Sequence, residues 1–320
     1  MKKIIIFIVI ILMNFSLLAN DGLKIIEDGE SGISGKCGIS GTGVTFFKNF
    51  ATLSSLNTPF ISINYWKHIE DISFYLLSGA YRISKTFSAG GFIVYQDLGE
   101  INNTGSDSIS VNNTLFSAGV SKTIKKYSFG IGMKYFKSNL GPYSASAFFF
   151  QLGITFPVYH NIKGGFIIDN VGSNLKYLET EEKEPIAIGI GIRGDVPEKF
   201  LGFSAEIEND FIISDDDQSY RCGIKIFPYK YTIINVGLIY ENSVLSFTAG
   251  GGVNYSNFQF NLGILPVNWS NGDFSLTYIA GIKYYFKKKR EVSSVKKIIR
   301  LKKREKEIKL PKEVRKTKKK

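Results

Sequence analysis

Cysteine and histidine are almost absent from the 320-residue chain, which contains two of each. Cys37 and Cys222 lie too far apart in sequence to indicate a disulfide framework, so we expect two unbridged thiols, although an exported protein is able to form one bridge. His68 and His160 fall beside predicted turns rather than in a metal-binding cluster. No Ser, His and Asp have the spacing of a nucleophile elbow. These absences argue against an enzyme, and we expect no metal or other cofactor.

Two short motifs suggest ligand loops but lack the residues that would complete them. The glycines Gly35, Gly38, Gly41 and Gly43 do not follow a predicted strand, and the Lys-Ser/Thr ending of a phosphate-binding loop is missing. Residues 215–217 are three successive aspartates without the alternate spacing and closing Glu of a calcium loop. We interpret the glycines as turns and the aspartates as a solvated loop.

Long apolar runs are also lacking, except at the amino terminus. After residue 19, no stretch of about 18 residues is apolar at helical spacing, so no helical membrane span is expected. Lys2 and Lys3 precede an apolar run over residues 4–18, which ends at the small residue Ala19. This order predicts a secretory signal peptide over residues 1–19, cleaved near Ala19. The alternative is a membrane anchor, but the run is shorter than the roughly 20 residues that a spanning helix needs.

Positive charge is confined to one end of the chain. The formal net charge is +12, yet residues 287–320 alone contain 18 Lys and Arg against 4 acidic residues, which leaves the first 286 residues at −2. A nucleic-acid-binding fold would spread its basic residues over a folded face. We therefore expect no nucleic-acid partner and assign the basic character to a separate tail.

Residues 60–286 form a long series of segments with apolar residues at every second position. Side chains in a strand alternate between two faces, so this pattern predicts strands with one apolar face. The last segment is the clearest, with small or polar residues between its apolar ones, Phe274, Leu276, Tyr278, Ala280, Ile282, Tyr284 and Phe286. We count about fourteen such segments. Turn-rich gaps separate some of them, at residues 102–107, 138–143, 172–184, 214–218 and 268–272.

Two architectures are compatible with these strands. A soluble β-sandwich or barrel would bury the apolar face, whereas a membrane barrel turns that face to lipid and its polar face to the lumen. The strands have the roughly 9 to 11 residues that cross a bilayer at a tilt. Their polar face is rich in Gly, Ser and Thr, and aromatic residues such as Tyr284, Tyr285 and Phe286 lie near strand ends. We therefore predict an all-β fold, a transmembrane antiparallel up-and-down β-barrel of about fourteen strands.

Several stretches of this series resemble the PorV/PorQ family of outer-membrane proteins. The first is IIDNVGSNLKYLETEEKEPIAIGIGI at residues 167–192, with an Asn-x-Gly after a strand, a loop that ends in Pro and a strand with alternate glycines. The later stretches GIKIF, INVGLIYENSVLSFTAGGGVNYSNFQFNLGI and GDFSLTYIAGIKYYF are similar to the family's aromatic meander, which ends on Phe. Residues 38–60 are similar to its glycine-rich start, with Asn57-Thr58-Pro59 where relatives carry Asn-Pro-Ala. The resemblance covers most of residues 38–286.

The resemblance implies a barrel similar to the FadL fatty-acid transporters, with an N-terminal plug segment over residues 20–59 and the barrel over residues 60–286. Some relatives are implied to pass or bind hydrophobic solutes, and others to serve type IX protein secretion by handling exported cargo. We expect a bacterial outer-membrane location, with lipid and either a hydrophobic solute or a secreted protein as partners. A structural protein tied to the cell wall is the third possibility.

Charged residues within the strands fall on the polar face. On a lipid face, an Arg or Lys near the midplane would cost about 2–4 kcal/mol, so we place these side chains in the lumen. They either form pairs that fill the barrel interior, or some of them line a solute path or hold the plug. The lumen-lining candidates are Lys134, Lys163, Arg193, Glu206, Glu208, Asp210, Arg221, Lys225 and Lys283.

The tail over residues 287–320 should project into the periplasm, because both ends of an even-stranded barrel lie on that side. We expect it to be disordered or partly helical. A sharper hypothesis is that it binds an acidic partner such as cell-wall polymer. Its candidate contacts are Lys287, Lys288, Lys289, Arg290, Lys296, Lys297, Arg300, Lys302, Lys303 and Arg304.

Overall fold

The computed structural model describes residues 29–68, 72–101, 109–177, 180–182, 184–198, 202–214, 217–241, 243–268 and 274–286. Strands dominate this part of the chain. Its elements are helix α1 (Gly29–Gly32), a 3-10 helix (Phe50–Ser55), β1 (Phe60–Lys67), β2 (Ser73–Arg82), β3 (Phe87–Ile101), β4 (Ile109–Ile124), β5 (Tyr127–Leu140), β6 (Tyr143–Tyr159), β7 (Ile162–Gly172), β8 (Leu175–Tyr177), β9 (Thr180–Glu182), β10 (Ala187–Val196), β11 (Ser204–Ser214), β12 (Asp217–Tyr229), β13 (Thr232–Glu241), β14 (Val244–Tyr255), β15 (Phe258–Asn268) and β16 (Phe274–Tyr285).

Fourteen of the strands form one closed antiparallel barrel. Each barrel strand pairs with its neighbour in the chain, and β1 pairs with β16 to close the sheet, with Phe60 opposite Tyr285 and Lys67 opposite Tyr278. The fourteen-strand up-and-down barrel is therefore confirmed. The gap predicted over residues 172–184 is not only turns, because it contains the hairpin of β8 and β9, which pair with each other as a separate two-stranded sheet.

The apolar face of the strands is on the outside of the barrel. In β1 the exposed residues are Ile61, Ile63 and Tyr65, whereas Ser62 and Asn64 are buried on the inner face. Many other large apolar side chains are exposed in the same way, among them Phe129, Ile131, Met133, Phe247, Leu262 and Ile282. A soluble barrel has the opposite arrangement, and an outer surface of this kind is stable against lipid. Of the two architectures, the structure has the one predicted for a membrane.

The two ends of the barrel differ in their connections. We call the end where β1 begins and β16 ends the terminal end, and the opposite end the loop end. Four links at the terminal end have two residues, and three of them begin with a residue at positive φ, namely Lys125, His160 and Ser256. Positive φ is typical of the tight turns that join antiparallel strands. Exposed aromatic side chains border this end, including Tyr127, Tyr159, Tyr229, Tyr255 and Phe286.

The helices contribute little to the wall. α1 has four residues and the 3-10 helix has six. Within the part of the chain that the structure describes, no helix is long and apolar enough to cross a membrane. Cys37 and Cys222, which are both described, are not joined by a disulfide. The predicted signal peptide and the predicted basic tail lie outside the described residues.

Candidate functional site

Residues 29–59, here called the N-terminal segment, lie against the inner face of the wall on several sides. The side chains of Ile33, Ile39, Phe46 and Phe50 are fully buried. The first part of the segment contacts β11 to β16, and the 3-10 helix contacts β2 to β6. Residues 20–28 of the predicted plug lie outside the described residues, and the plugging role stays a prediction.

Glycines on the inner face leave room for the backbone of this segment. A Cβ atom on Gly130 would overlap the backbone of Phe50 and Ala51, and one on Gly223 would overlap the carbonyl oxygen of Ser34. Other inward glycines meet the segment in the same way, including Gly119, Gly132, Gly165, Gly189, Gly237 and Gly263. The alternate glycines of the strands therefore mark where the N-terminal segment passes, a meaning that the sequence pattern did not reveal by itself.

Polar side chains of the wall bind the backbone of the segment. The Asp210 carboxylate accepts hydrogen bonds from the backbone N–H groups of Gly38, at 2.7 Å, and Ile39, at 3.0 Å. Thr248 Oγ1 accepts from the N–H of Gly35 at 2.9 Å and donates to the carbonyl oxygen of Ile33 at 3.0 Å. Buried backbone groups need such partners, because leaving them unbonded is costly. The wall thus takes the place of water for this part of the chain.

A buried ion cluster joins α1 to the wall. The Glu30 carboxylate lies 2.5 Å from Lys225 Nζ and 2.8 Å from Lys283 Nζ, and it accepts a hydrogen bond from Gln259 at 3.1 Å. Burial alone would raise the pKa of Glu30, but the two lysine ammonium groups outweigh burial and hold that pKa well below its usual range. Glu30 is therefore ionised and paired at neutral pH.

Most lumen-lining candidates have charged or polar partners on the inner face. Lys134 pairs with Asp169 at 2.7 Å, and Arg193 pairs with both Asp195 and Glu206 at 2.9 Å. Such pairs avoid the cost of an uncompensated buried charge. Their acidic partners Asp169 and Asp195, like Glu30, were not among the candidates. Only the strand register and the path of the segment place these carboxylates beside their lysines and arginines.

The remaining candidates lie on the same face. Glu206 also approaches Lys225, at 3.7 Å, and Glu208 accepts a hydrogen bond from Ser40. Arg221 lies 3.7 Å from Glu241, and half-buried Lys163 lies opposite Arg193 in the pairing of β7 with β10. Whether any of these charges lines a solute path stays a prediction. The tail candidates lie outside the described residues.

The inner face of β1 to β6 carries many apolar side chains beside its polar ones. A large cluster, here called the aromatic cluster, packs there against the second half of the N-terminal segment. Within it, the Phe46 ring lies 4.6 Å from Phe47 and 5.6 Å from Phe50. Its further members include Leu53, Leu56, Phe60, Leu76, Phe92, Val94, Leu115, Phe136 and Phe149. Nine-tenths or more of each side chain is buried, so the cluster is a hydrophobic core inside the barrel.

A smaller apolar cluster lies nearer the loop end. This loop-end cluster consists of Ile33 on the N-terminal segment and five wall residues, Trp66, Phe74, Ile239, Leu265 and Ile279. It therefore faces the interior on β1, β2, β13, β15 and β16. Apolar side chains in a lumen are a surface on which a hydrophobic solute can bind.

The wall is incompletely paired beside this cluster. The pairing of β14 with β15 runs from Tyr255 opposite Phe258 to Ala249 opposite Ile264 and ends there. Beyond that point, β14 continues paired with β13 and β15 continues paired with β16 as far as Asn268. Pro266 lies in the separated part of β15, where it offers no backbone N–H to a neighbour. The two strands therefore diverge toward the loop end.

An apolar depression of about 620 Å³ lies on the outer face where the strands diverge. Its shape follows from small side chains, Ala249 and Ala280, between the larger Leu262, Ile264 and Tyr278. Ile279 belongs both to its lining and to the loop-end cluster. This volume is within the range of pockets that hold small molecules.

Solved structures of similar architecture include two toluene transporters and a monoaromatic hydrocarbon channel. The toluene transporter TbuX of Ralstonia pickettii aligns with 80% of this chain and 97% of its own at a TM-score of 0.61 and 11% identity. The toluene transporter TodX of Pseudomonas putida aligns with 85% and 98% at 0.59 and 13%, and the monoaromatic hydrocarbon channel CymD with 76% and 92% at 0.56 and 10%. The fold is shared. Identity this low shows the fold alone.

No protein-family model matches the amino-acid sequence, and no curated protein matches it. The resemblance to the PorV/PorQ family therefore stays a prediction, whereas the FadL-like barrel that it implied is the fold observed.

Proposed function

We propose that the chain is a bacterial outer-membrane barrel that binds and passes hydrophobic solutes. The exposed apolar surface, the closed sheet and the exposed aromatic residues near the terminal end support a location in lipid. The terminal end then faces the periplasm and the loop end faces the exterior, as in barrels with an even number of strands. Export requires the signal peptide predicted over residues 1–19.

The observation that carries this proposal is the apolar depression at the divergence of β14 and β15. Ile279 connects it to the loop-end cluster, so apolar surface extends from the lipid side of the wall to its inner side. If the N-terminal segment acts as the predicted plug, it would obstruct a route along the barrel axis below this level. A hydrophobic solute would therefore exchange between the loop-end cluster and the membrane through the wall. The toluene transporters of the same architecture make an aromatic solute a suitable first probe.

Filling the depression tests the proposal. We expect Ala249→Trp to slow the uptake of radiolabelled toluene severalfold in cells that express the protein, because the indole would occupy the depression. Ala118→Trp is the matched control, since Ala118 is an exposed outward alanine on β4, far from the divergence. Equal uptake by the two variants, at equal amounts of folded barrel in the outer membrane, would contradict the proposed route.

Protein secretion and attachment to the cell wall are the two other roles predicted from the sequence. A role in type IX-like secretion and a tie to the cell wall through Lys287 to Lys320 both stay predictions. Mass spectrometry of the native protein, extracted from outer membranes in mild detergent, separates them from solute transport. Lipids or other hydrophobic molecules without a stoichiometric protein partner would support transport, whereas secretion machinery or exported cargo would support the secretion role.

A further inference from the structure

A group of four lysines, here called the basic rim, lies at the terminal end of β2 to β5. Lys85 is in the link between β2 and β3, Lys122 is near the end of β4, and Lys125 and Lys126 form the link between β4 and β5. All four side chains are exposed. Lys122 is on the outer face of the barrel, because inner and outer residues alternate along β4 and Ile124 is exposed with it.

The backbone holds two of these lysines beside each other. The N–H of Thr123 donates to the carbonyl oxygen of Thr86 at 2.8 Å, so the end of β4 is bonded to the link between β2 and β3. This bond places Lys85 beside Lys122, since each precedes one of the two bonded residues. The guanidinium of Arg82 donates to the carbonyl oxygen of Lys85 at 2.7 Å and fixes the shape of the link. It also adds a fifth positive charge.

The charge of the basic rim is not balanced by neighbouring strands. Residues 72–96 and 108–160 contain no Asp or Glu. Lys126 Nζ lies 5.6 Å from the centroid of the Tyr127 ring. The other three lysines of the rim have no ion-pair partner among the described residues. The rim is therefore available to an anion from outside the chain.

In the membrane orientation proposed above, the rim lies at the level of the lipid head groups. Lys122 is two residues from the end of a strand whose outer face is apolar, and exposed Tyr127 borders the same end. Aromatic side chains of this kind mark the membrane interface. A lysine at this depth lays its stem along the apolar surface and extends its ammonium group to the head groups. Phosphate groups are the anions of that layer.

We propose that the basic rim is a binding site for an anionic phospholipid of the periplasmic leaflet. The phosphate of the lipid lies between Lys85 and Lys122, and its acyl chains follow the exposed apolar side chains of β3 and β4, such as Ile93, Phe116 and Val120. A zwitterionic head group carries its own cation, so the rim favours a lipid with net negative charge. The inference uses the membrane orientation of the proposed function but does not depend on the passage of a solute.

Two lipids that differ only in their head group test the site. The purified full-length barrel would be titrated in mild detergent with dioleoylphosphatidylglycerol or dioleoylphosphatidylethanolamine, and bound lipid would be counted by native mass spectrometry. We expect the anionic lipid to bind more tightly, with an affinity that falls as salt is added. Each lysine near an anionic lipid surface strengthens binding by about fivefold. Lys85→Gln/Lys122→Gln should therefore weaken binding of the anionic lipid by about tenfold or more and leave the zwitterionic lipid unchanged.

Lys137→Gln/Lys176→Gln is the matched control, because it removes the same charge from exposed lysines near the loop end. Both double variants keep the basic tail, so any lipid that the tail binds is common to them. Equal losses in the two variants, or no preference for the anionic lipid in the unmodified protein, would overturn the site. Tighter binding of lipid A phosphates than of phosphatidylglycerol would overturn the choice of leaflet. These results would leave solute passage standing, since the basic rim does not line the apolar depression.

Discussion

The two halves of the barrel wall contact the N-terminal segment with different kinds of side chain. On β11 to β16 the inner face is polar and charged, and it meets an irregular stretch from Glu30 to Ser40. On β2 to β6 the apolar side chains of the inner face form the aromatic cluster around the 3-10 helix. The backbone bonds of the helical part are largely internal, for example Thr52 N–H to the Asn49 carbonyl at 3.0 Å.

The difference follows from where backbone hydrogen bonds are made. An irregular stretch has few internal partners, so its N–H and C=O groups must be bonded by wall side chains such as Asp210 and Thr248. A helical turn bonds itself and can present Phe50 and Leu53 to an apolar wall. The character of each wall half therefore matches the conformation of the segment that it faces. Disrupting one half at a time separates the electrostatic from the packing contribution.

Removing Glu30 should have the largest effect. Glu30→Ala would remove the carboxylate that Lys225 and Lys283 share, and the loss of one partner of a buried ion pair costs about 3–5 kcal/mol. The measurement is the free energy of unfolding in urea of the barrel in detergent. Glu181→Ala is the matched control, because Glu181 pairs with Lys176 at an exposed site and should contribute no more than about 1 kcal/mol. Similar losses in the two variants would show that the cluster does not anchor the segment.

The ion pairs of Glu30 with Lys225 and Lys283 also show what could and could not be predicted from the sequence. Period-two alternation predicted the strands and placed Lys225 and Lys283 on the inner face, because alternation is a local property of each strand. Glu30 could not be assigned to them, since it is separated from Lys283 by 253 positions and its place depends on the path of the N-terminal segment.

The glycines on the inner face could be interpreted in part from the sequence. Alternate glycines on one face of a strand, as at Gly130 and Gly132, predict a close approach by another backbone or ring. In the structure both positions face the 3-10 helix and its Phe50 ring. What approaches them could not be named from the strand alone, because a ligand, a neighbouring loop and the N-terminal segment all leave the same pattern.

Filling the space beside one of these glycines tests the packing of the 3-10 helix against the wall. Gly130→Ala should destabilise the barrel by about 1–3 kcal/mol, because the added methyl group would meet the backbone of Phe50 and Ala51 rather than a movable side chain. Gly194→Ala on β10 is the matched control, since no atom lies within 4 Å of the Cβ position there. Its effect should stay within about 0.5 kcal/mol. Unfolding curves that shift equally would mean that the 3-10 helix does not pack against this wall.

The smallest effect is expected when the pH is lowered. Its dependence on Glu30 should separate the contribution of the charged half of the wall from that of the aromatic cluster. The pKa of Glu30 lies below its usual value of 4.5, so the stability that its ionisation contributes is complete above that value and is lost as the pH falls toward the lower pKa of the folded state. The contribution of Glu30 to the protection of the N-terminal segment from protease, measured from pH 7 downward as the difference between the unmodified protein and Glu30→Gln, should therefore be unchanged until the pH is below 4.5. Glu30→Gln should lack this acid-dependent loss, whereas Gly130→Ala should retain it. A loss of protection in the unmodified protein near pH 6 would instead assign the pH dependence to a group other than Glu30.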